Sequence, residues 1–127
     1  SPNNPQLYFA LGSLYEVGLK DEAKAEEAYK KALDLDPENP SNIFSVGRLY
    51  FNQGVSLLDK ANSLNDQNQY KAEKAKAEAM LRKALPFFEK AHKLKPEERE
   101  YMIGLRGIYY NLSMNKEFDA INAEMSK

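Results

Sequence analysis

The chain has 127 residues, of which 43% are hydrophobic and 29% are charged, and its 18 basic and 19 acidic residues give a formal net charge of −1. This length and composition are typical of one folded globular domain with a core of its own. The near-neutral charge argues against a nucleic-acid-binding protein, which usually presents a surplus of Lys and Arg to phosphates. The absence of cysteine excludes disulfides and thiolate metal sites, and no apolar run approaches the ~20 residues of a membrane-spanning helix.

The first predicted element is an amphipathic helix near the start of the chain. Its apolar residues recur at i, i+3, i+4 and i+7, which is the spacing of one helix face; they are Tyr8, Leu11, Gly12 and Tyr15. Asn4 followed by Pro5 suits an N-cap and a first helical position. A second helix follows, whose apolar face is formed by Ala25, Tyr29, Ala32 and Leu33. It ends before Pro37, because proline stops the helix that precedes it.

The chain then repeats both helices. Residues 11–15 return as residues 46–50, with glycine, leucine and tyrosine in the same order. Residues 25–37 return as residues 84–96. The distance along the chain between these two segments is longer than the distance between residues 11–15 and residues 46–50. The connection from the first helix to the second is short in the first unit, from Tyr15 to Ala25, and much longer in the middle unit, from Tyr50 to Ala84. The middle unit therefore carries 24 extra residues between its two helices.

The extra residues are predicted to lengthen both helices of the middle unit into an antiparallel finger. Residues 62–69 read NSLNDQNQ, which is typical of a loop, and residues 70–83 are rich in strong helix formers. Each arm gains ~12 residues, or ~18 Å of helix. The predicted contacts across the finger join Val55, Leu58 and Ala61 to Tyr70, Ala77 and Leu81. The finger is either a solvated spacer or a surface that contacts a partner domain.

A third unit follows, in which Leu105 and Tyr109 repeat Val46 and Tyr50. Their distance along the chain is the same as that between residues 25–37 and 84–96. Arg106 stands where the other two units have Gly12 and Gly47, which predicts a looser or rotated hairpin. The last helix, at about residues 115–127, is expected to act as a terminal cap, since the end units of repeat proteins are commonly atypical.

A helical hairpin repeated at about 35 residues resembles the tetratricopeptide repeat. The small-residue positions of that family are filled by Gly12, Gly47, Ala25, Ala84, Ala32 and Ala91, its aromatic positions by Tyr15, Tyr50, Tyr109, Tyr29 and Phe88, and its closing prolines by Pro37 and Pro96. The resemblance implies an all-α, right-handed superhelical stack of antiparallel helix hairpins. Its expected parts are a first repeat at about residues 5–38, an extended second repeat at about 39–97 and a C-terminal repeat or cap at about 98–127.

The start of the chain is similar to the tail of a repeat, since Pro2 to Pro5 match Pro37 to Pro40. This favours a chain cut from a longer array over a natural N-terminus that begins with a capping sequence. A lengthened middle unit is also similar to bacterial, sometimes exported, proteins. The sequence leaves a cytoplasmic and an exported or periplasmic location open.

No catalytic, cofactor or metal site is predicted. His92 is the only histidine, and it occupies the position of Leu33 in the first unit, which favours a partly buried packing role. A metal site needs several converging ligands, and one histidine with scattered carboxylates does not provide them. Phosphate-binding and nucleophile-elbow motifs do not occur. We therefore expect a protein that is not an enzyme.

The expected function is binding of a protein or peptide on the concave wall that the first helix of each repeat forms. The residues beside the packing stripe of these helices are Phe9, Ser13, Glu16, Phe44, Arg48, Phe51, Asn52, Ile103 and Tyr110. Arg48 is expected to pair with a carboxylate or a backbone carbonyl of an apolar segment. The lysines and asparagines with which related repeats clamp chaperone C-termini are absent, so that ligand is not expected.

Three alternatives to this groove remain. The wall aromatics pack against neighbouring helices in one of them. In the second, exposed repeat ends pair two copies of the chain into a homodimer. In the third, the array is the regulatory arm of a larger multidomain protein. Nucleic acid and membrane insertion are not expected.

Overall fold

The computed structural model describes residues 3–127, in which six α-helices and one π-helical turn follow one another without a strand. The elements are α1 (Pro5–Ser13), the π turn (Leu14–Gly18), α2 (Glu22–Leu35), α3 (Pro40–Asn62), α4 (Gln67–Leu94), α5 (Arg99–Asn111) and α6 (Asn115–Met125). The start of the predicted repeat tail, Ser1 and Pro2, lies outside the described residues. No helix in residues 3–127 is both long enough and apolar enough to cross a bilayer.

The helices begin and end where their local sequence predicts. The side chain of Asn4 accepts a hydrogen bond from the backbone of Gln6, and the side chain of Asn39 accepts from Ser41 and Asn42 at the start of α3. Each of these helices has a proline in its first turn, where its missing N–H costs nothing. α2 and α4 both end two residues before a proline, at Leu35 and Leu94.

Consecutive helices pair into three hairpins, α1 with α2, α3 with α4, and α5 with α6. The hairpins stack, because α2 also packs on α3 and α4 also packs on α5. The predicted all-α class with a tetratricopeptide-like repeat fold is confirmed. One hydrophobic core runs through the stack, and its largest fully buried side chains are Tyr29, Ile43, Leu49, Tyr50, Phe88, Leu105 and Ile108.

The repeated glycines lie where a hairpin leaves no space for a side chain between its two helices. A Cβ built on Gly12 would overlap the ring of Tyr29, and one built on Gly47 would lie 2.7 Å from Cδ1 of Phe88. The first and second hairpins therefore use the same contact, in which a glycine of one helix receives an aromatic ring of the next.

The third hairpin has different residues at the two positions that form the glycine-and-ring contact in the first two hairpins. The spacing in sequence that joins Gly12 to Tyr29 in the first hairpin joins Arg106 to Ala123, on α6, in the third. Ala123 is exposed, whereas Tyr29 at the corresponding position of α2 is fully buried. The glycine-and-ring pair of the first two hairpins is therefore absent from the third.

α3 and α4, the two helices of the expected finger, have 23 and 28 residues, against 9 in α1 and 14 in α2. Ala61, Ala77 and Leu81 are fully buried between the arms, and a Cβ on Gly54 would lie 2.8 Å from Cδ2 of Leu81. The loop is shorter than the predicted residues 62–69, since α3 includes Asn62 and α4 begins at Gln67. Asp66 shortens it, because its carboxylate caps α4 by accepting a hydrogen bond from the backbone of Gln69.

The π turn at the end of α1 is a feature that no sequence pattern predicted. The backbone N–H of Leu19 donates to the carbonyl of Leu14, 3.0 Å away, which is the wider spacing of a π-helix. Lys20 then adopts a positive φ of 53°, and Asp21 caps α2. The wider turn leaves Leu14 and Val17 more than half exposed.

Candidate functional site

Three of the predicted wall residues converge on one depression between α3, α5 and α6. We call this depression, of about 570 Å³, the apolar groove; it is lined by Phe51, Ile103, Gly104, Arg106, Gly107, Tyr110, Phe118 and Asn122. Phe51, Ile103 and Tyr110 are the predicted residues among them. Most of the lining surface is hydrocarbon or aromatic, and none of the lining residues is acidic.

The groove has an aromatic wall and a glycine floor. The rings of Tyr110 and Phe118 lie with their centroids 6.0 Å apart at an interplanar angle of 48°. Tyr110 is 70% exposed and Ile103 is 46% exposed, although both are large apolar side chains. A Cβ on Gly107 would lie 3.1 Å from Cζ of Phe51, so glycine leaves space at the floor for this ring. The exposed aromatic surface is suited to contact with another protein.

The structure corrects the prediction for Phe44. Its ring is only 7% exposed, and it stacks on Phe88 with centroids 4.7 Å apart and lies 4.8 Å from the ring of Tyr101. Phe44 and Phe51 lie on one face of α3, two helical turns apart. Phe44, however, is covered by α4 and α5. Phe44 is therefore a core residue, as the packing alternative for the wall aromatics supposed.

The N-terminal half of the predicted wall is occupied by a polar network. The carboxylate of Glu16 accepts a hydrogen bond from the Tyr29 hydroxyl and another from the Arg48 guanidinium, each at 2.7 Å and to the same oxygen. Ser13 Oγ lies 3.3 Å from the Tyr29 hydroxyl, and the ring of Phe9 packs against Tyr29 with centroids 5.7 Å apart. Burial is the main cause that raises the pKa of Tyr29, and the hydrogen bond from Ser13 partly offsets it.

The network changes the expectation for Arg48. The sequence predicts that its guanidinium pairs with a carboxylate or a backbone carbonyl of a partner, but it is already paired with the carboxylate of Glu16 in the same chain. Asn52, the last of the predicted residues, is an exposed side chain on α3. The predicted wall thus separates into a paired polar half and an open apolar half.

Besides the three predicted residues, the groove is lined by Gly107, which lies one turn after Ile103 on α5, and by four residues that sequence reasoning missed, namely Gly104, Arg106, Phe118 and Asn122. Arg106 carried a signal, because it breaks the glycine pattern of the other units. Phe118 and Asn122 lie on α6, and the prediction considered only the first helix of each unit as wall. The second helix of the last hairpin, α6, is therefore also part of the groove wall.

His92 has a polar contact in addition to its predicted packing position. Its Nε2 lies 3.0 Å from Oε1 of Glu124 on α6, while its Nδ1 is buried without a hydrogen-bond partner among the described residues. His92 is half-buried. The contact ties the last helix to α4. Within residues 3–127 no three His, Asp or Glu side chains are grouped to hold a metal ion.

Comparison with known proteins agrees with the repeat geometry. Residues 5–39, which include the glycine-and-ring contact of the first hairpin, match the tetratricopeptide repeat family. Residues 5–39 are therefore a tetratricopeptide repeat. It is also 33% identical over 113 residues to "Outer dynein arm-docking complex subunit 4" of Danio rerio, an alignment that covers 78% of this chain and 22% of the relative. The chain thus spans about a fifth of the length of that relative.

The match to a zebrafish protein does not support the expected bacterial origin. That expectation came from the lengthened middle unit alone. Tetratricopeptide repeats are typically non-catalytic elements that hold protein partners, which agrees with the kind of surface found here.

Proposed function

We propose that this chain is a non-catalytic interaction module that binds an apolar, extended or helical segment of a partner protein in the apolar groove. The observation that carries the proposal is the convergence of Phe51, Ile103 and Tyr110 on one open depression beside Phe118. Large apolar side chains that stay exposed side by side usually mark a partner site, and aromatic residues are frequent anchors there.

The arrangement of hairpins supports this proposal. We infer three repeats, at about residues 5–38, 39–97 and 98–127, which the three hairpins fit in order. The first helices α1, α3 and α5 then form one wall, which in a superhelical stack is concave. The name of the zebrafish relative describes a subunit of a docking complex, and its similarity to this chain is in keeping with a role in holding proteins together.

The test compares two pairs of substitutions that remove similar amounts of exposed apolar surface. A displayed library of random peptides is first selected on the wild-type chain. Replacing Ile103 and Tyr110 together with serine is expected to abolish binding of the enriched peptides, because both side chains line the groove. Replacing Leu7 and Val17 together with serine is the matched control, since both are more than half exposed at the other end of the stack.

Two results would contradict the proposal. One is selection of peptides that bind the Ile103 and Tyr110 double variant as well as they bind the wild type. The other is failure of the library to yield any binder. Circular dichroism of both double variants checks that their helix content is unchanged, which is expected because the altered side chains are exposed.

Self-association is a second candidate function, favoured by a different surface. Leu7, Leu14, Val17 and Leu19, on and after α1, are each more than half exposed. In this case the occupant of the surface is a second copy of the chain. Sedimentation over a range of concentrations is expected to show a dimer that Val17→Lys dissociates. A monomer at every concentration would exclude this candidate.

A further inference from the structure

The two arginines of the wall differ in their pairing. Arg48 is held by Glu16 at 2.7 Å, with Tyr29 beside it. Arg106 lines the apolar groove and is partly buried, yet it makes no hydrogen bond or ion pair with any residue of the described part of the chain. Its position in the repeat is the one that glycine fills in the other hairpins. The groove therefore contains one positive charge without a compensating carboxylate.

The surroundings of Arg106 leave that charge available to a ligand. None of the other lining residues is charged, and their polar side-chain groups are the amide of Asn122 and the hydroxyl of Tyr110, so no side chain in the groove neutralises the guanidinium. The apolar walls reduce the access of water to one side of Arg106 and strengthen its attraction for an anion. A planar guanidinium is also well matched to a carboxylate, which accepts two parallel hydrogen bonds from it.

We infer that the groove selects a partner segment in which a bulky apolar residue is accompanied by an acidic residue. The apolar side chain packs between Tyr110, Phe118 and Ile103, and the carboxylate pairs with Arg106. This inference rests on the proposed function and adds the chemical class of the segment. Charge complementarity of this kind contributes more to specificity and association rate than to total affinity.

A single-stranded nucleic acid is a different ligand that also uses aromatic rings and arginine. The structure favours the peptide for two reasons. Arg106 is the only cation that lines the groove, whereas a nucleic-acid channel presents a row of them. The chain as a whole carries a formal net charge of −1. Binding of oligothymidine, measured by fluorescence anisotropy at low salt, would therefore overturn the inference.

The experiment repeats the selection of displayed random peptides on the wild type and on Arg106→Gln. Arg82→Gln is the matched control, because Arg82 is an exposed arginine on α4 outside the groove. The wild type and the control are expected to enrich peptides with an apolar and an acidic residue. Arg106→Gln is expected to enrich apolar peptides without the acidic preference.

The best wild-type peptide is then titrated beside its counterpart in which the acidic residue is replaced by its amide. The acidic peptide is expected to bind the wild type about fivefold more tightly, and the two peptides are expected to bind Arg106→Gln equally. The difference should shrink as salt is added, since part of the attraction is screened.

The outcomes separate this inference from the proposed function. Apolar enrichment without an acidic preference on the wild type would overturn the role of Arg106 and leave the groove intact. An acidic preference that persists in Arg106→Gln would also overturn it. Peptides that are insensitive to Ile103→Ser and Tyr110→Ser would instead overturn the groove itself.

Discussion

Glu16 and Arg48 form an ion pair that joins the first hairpin to the second, with 2.7 Å between Oε1 of Glu16 and the Arg48 guanidinium. The Tyr29 hydroxyl donates to the same carboxylate oxygen, so one acidic side chain connects three helical segments. The side chain of Glu16 is 13% exposed and that of Arg48 is 37% exposed. Arg48 is therefore already paired within the chain, at the polar half of the wall.

The first prediction concerns the energy of this pair. Glu16→Gln is expected to destabilise the protein more than Arg48→Gln, because Glu16 is the more buried partner and accepts two hydrogen bonds. The coupling between the two is expected to be about 1 kcal/mol, since Arg48 is partly exposed to solvent. Urea denaturation of the two single variants and the double variant measures it. Strictly additive effects would show that the pair contributes nothing.

The second prediction concerns the glycine that receives an aromatic ring. Gly47→Ala is expected to destabilise the protein by about 1–3 kcal/mol, even though alanine has the better helix propensity, because the new methyl group would overlap the side chains of Phe88 and Phe87. Gly18→Ala is the control, because its nearest neighbour is the flexible end of the exposed Leu14. The control is expected to change stability by about 0.5 kcal/mol or less. Thermal and urea unfolding distinguish the two.

The third prediction is that the stability of the protein depends on pH through the ionisation of Glu26. Burial acts to raise the pKa of this carboxyl group, but hydrogen bonds from Lys30 and Tyr50 outweigh it and hold the pKa below its ordinary value of 4.5. The Tyr50 hydroxyl donates to Oε2 of Glu26 at 2.8 Å across the junction of α2 with α3. A carboxyl group whose pKa is lowered by folding stabilises the protein above its unfolded pKa, and this contribution is lost as the pH falls through the folded value.

Glu26→Gln is therefore expected to be less stable than the wild type at neutral pH, and the difference is expected to disappear in acid. The free energy of unfolding of both proteins, measured in urea between about pH 7 and pH 3, tests this. A difference that stays constant over the range would mean that the ionisation of Glu26 is not coupled to folding. Glu27→Gln serves as the control, since Glu27 is exposed on the same helix.

The fourth prediction concerns the packing of the finger. Leu81 is fully buried and lies against Gly54 on the opposite arm. Leu81→Ala is expected to cost about 2–5 kcal/mol, because the arms cannot close the resulting cavity completely. Leu94→Ala, at an exposed position of the same helix, is expected to cost about 1 kcal/mol or less. Similar losses in both variants would show that the finger is not a packed part of the core.

Much of the fold follows from the sequence because its causes are local. Asn4 and Asn39 cap the helices that they precede, and the prolines at 37 and 96 fix where the preceding helices end. The sequence marks Gly12 and Gly47 as repeated small positions, and the structure shows that they face Tyr29 and Phe88. The finger follows from the difference in spacing between the two units.

The candidate site was only partly predictable. Phe51, Ile103 and Tyr110 were predicted from their position beside the packing stripe, and the structure brings them together. Phe44 has the same helical periodicity as Phe51, but two other rings cover it. The π turn after α1 has no periodic signature of its own.

The sequence by itself determined the helices, their order and the repeated small and aromatic positions of the first two hairpins, because capping, periodicity and small-residue spacing act over a few turns of helix. Only the tertiary structure decided which exposed faces are covered. It paired Arg48 with Glu16, a distant residue in the chain, and left Arg106 open beside the rings of α5 and α6. The physical reason is that an ion pair or a buried ring depends on which distant side chains the stacking of hairpins brings within a few ångströms.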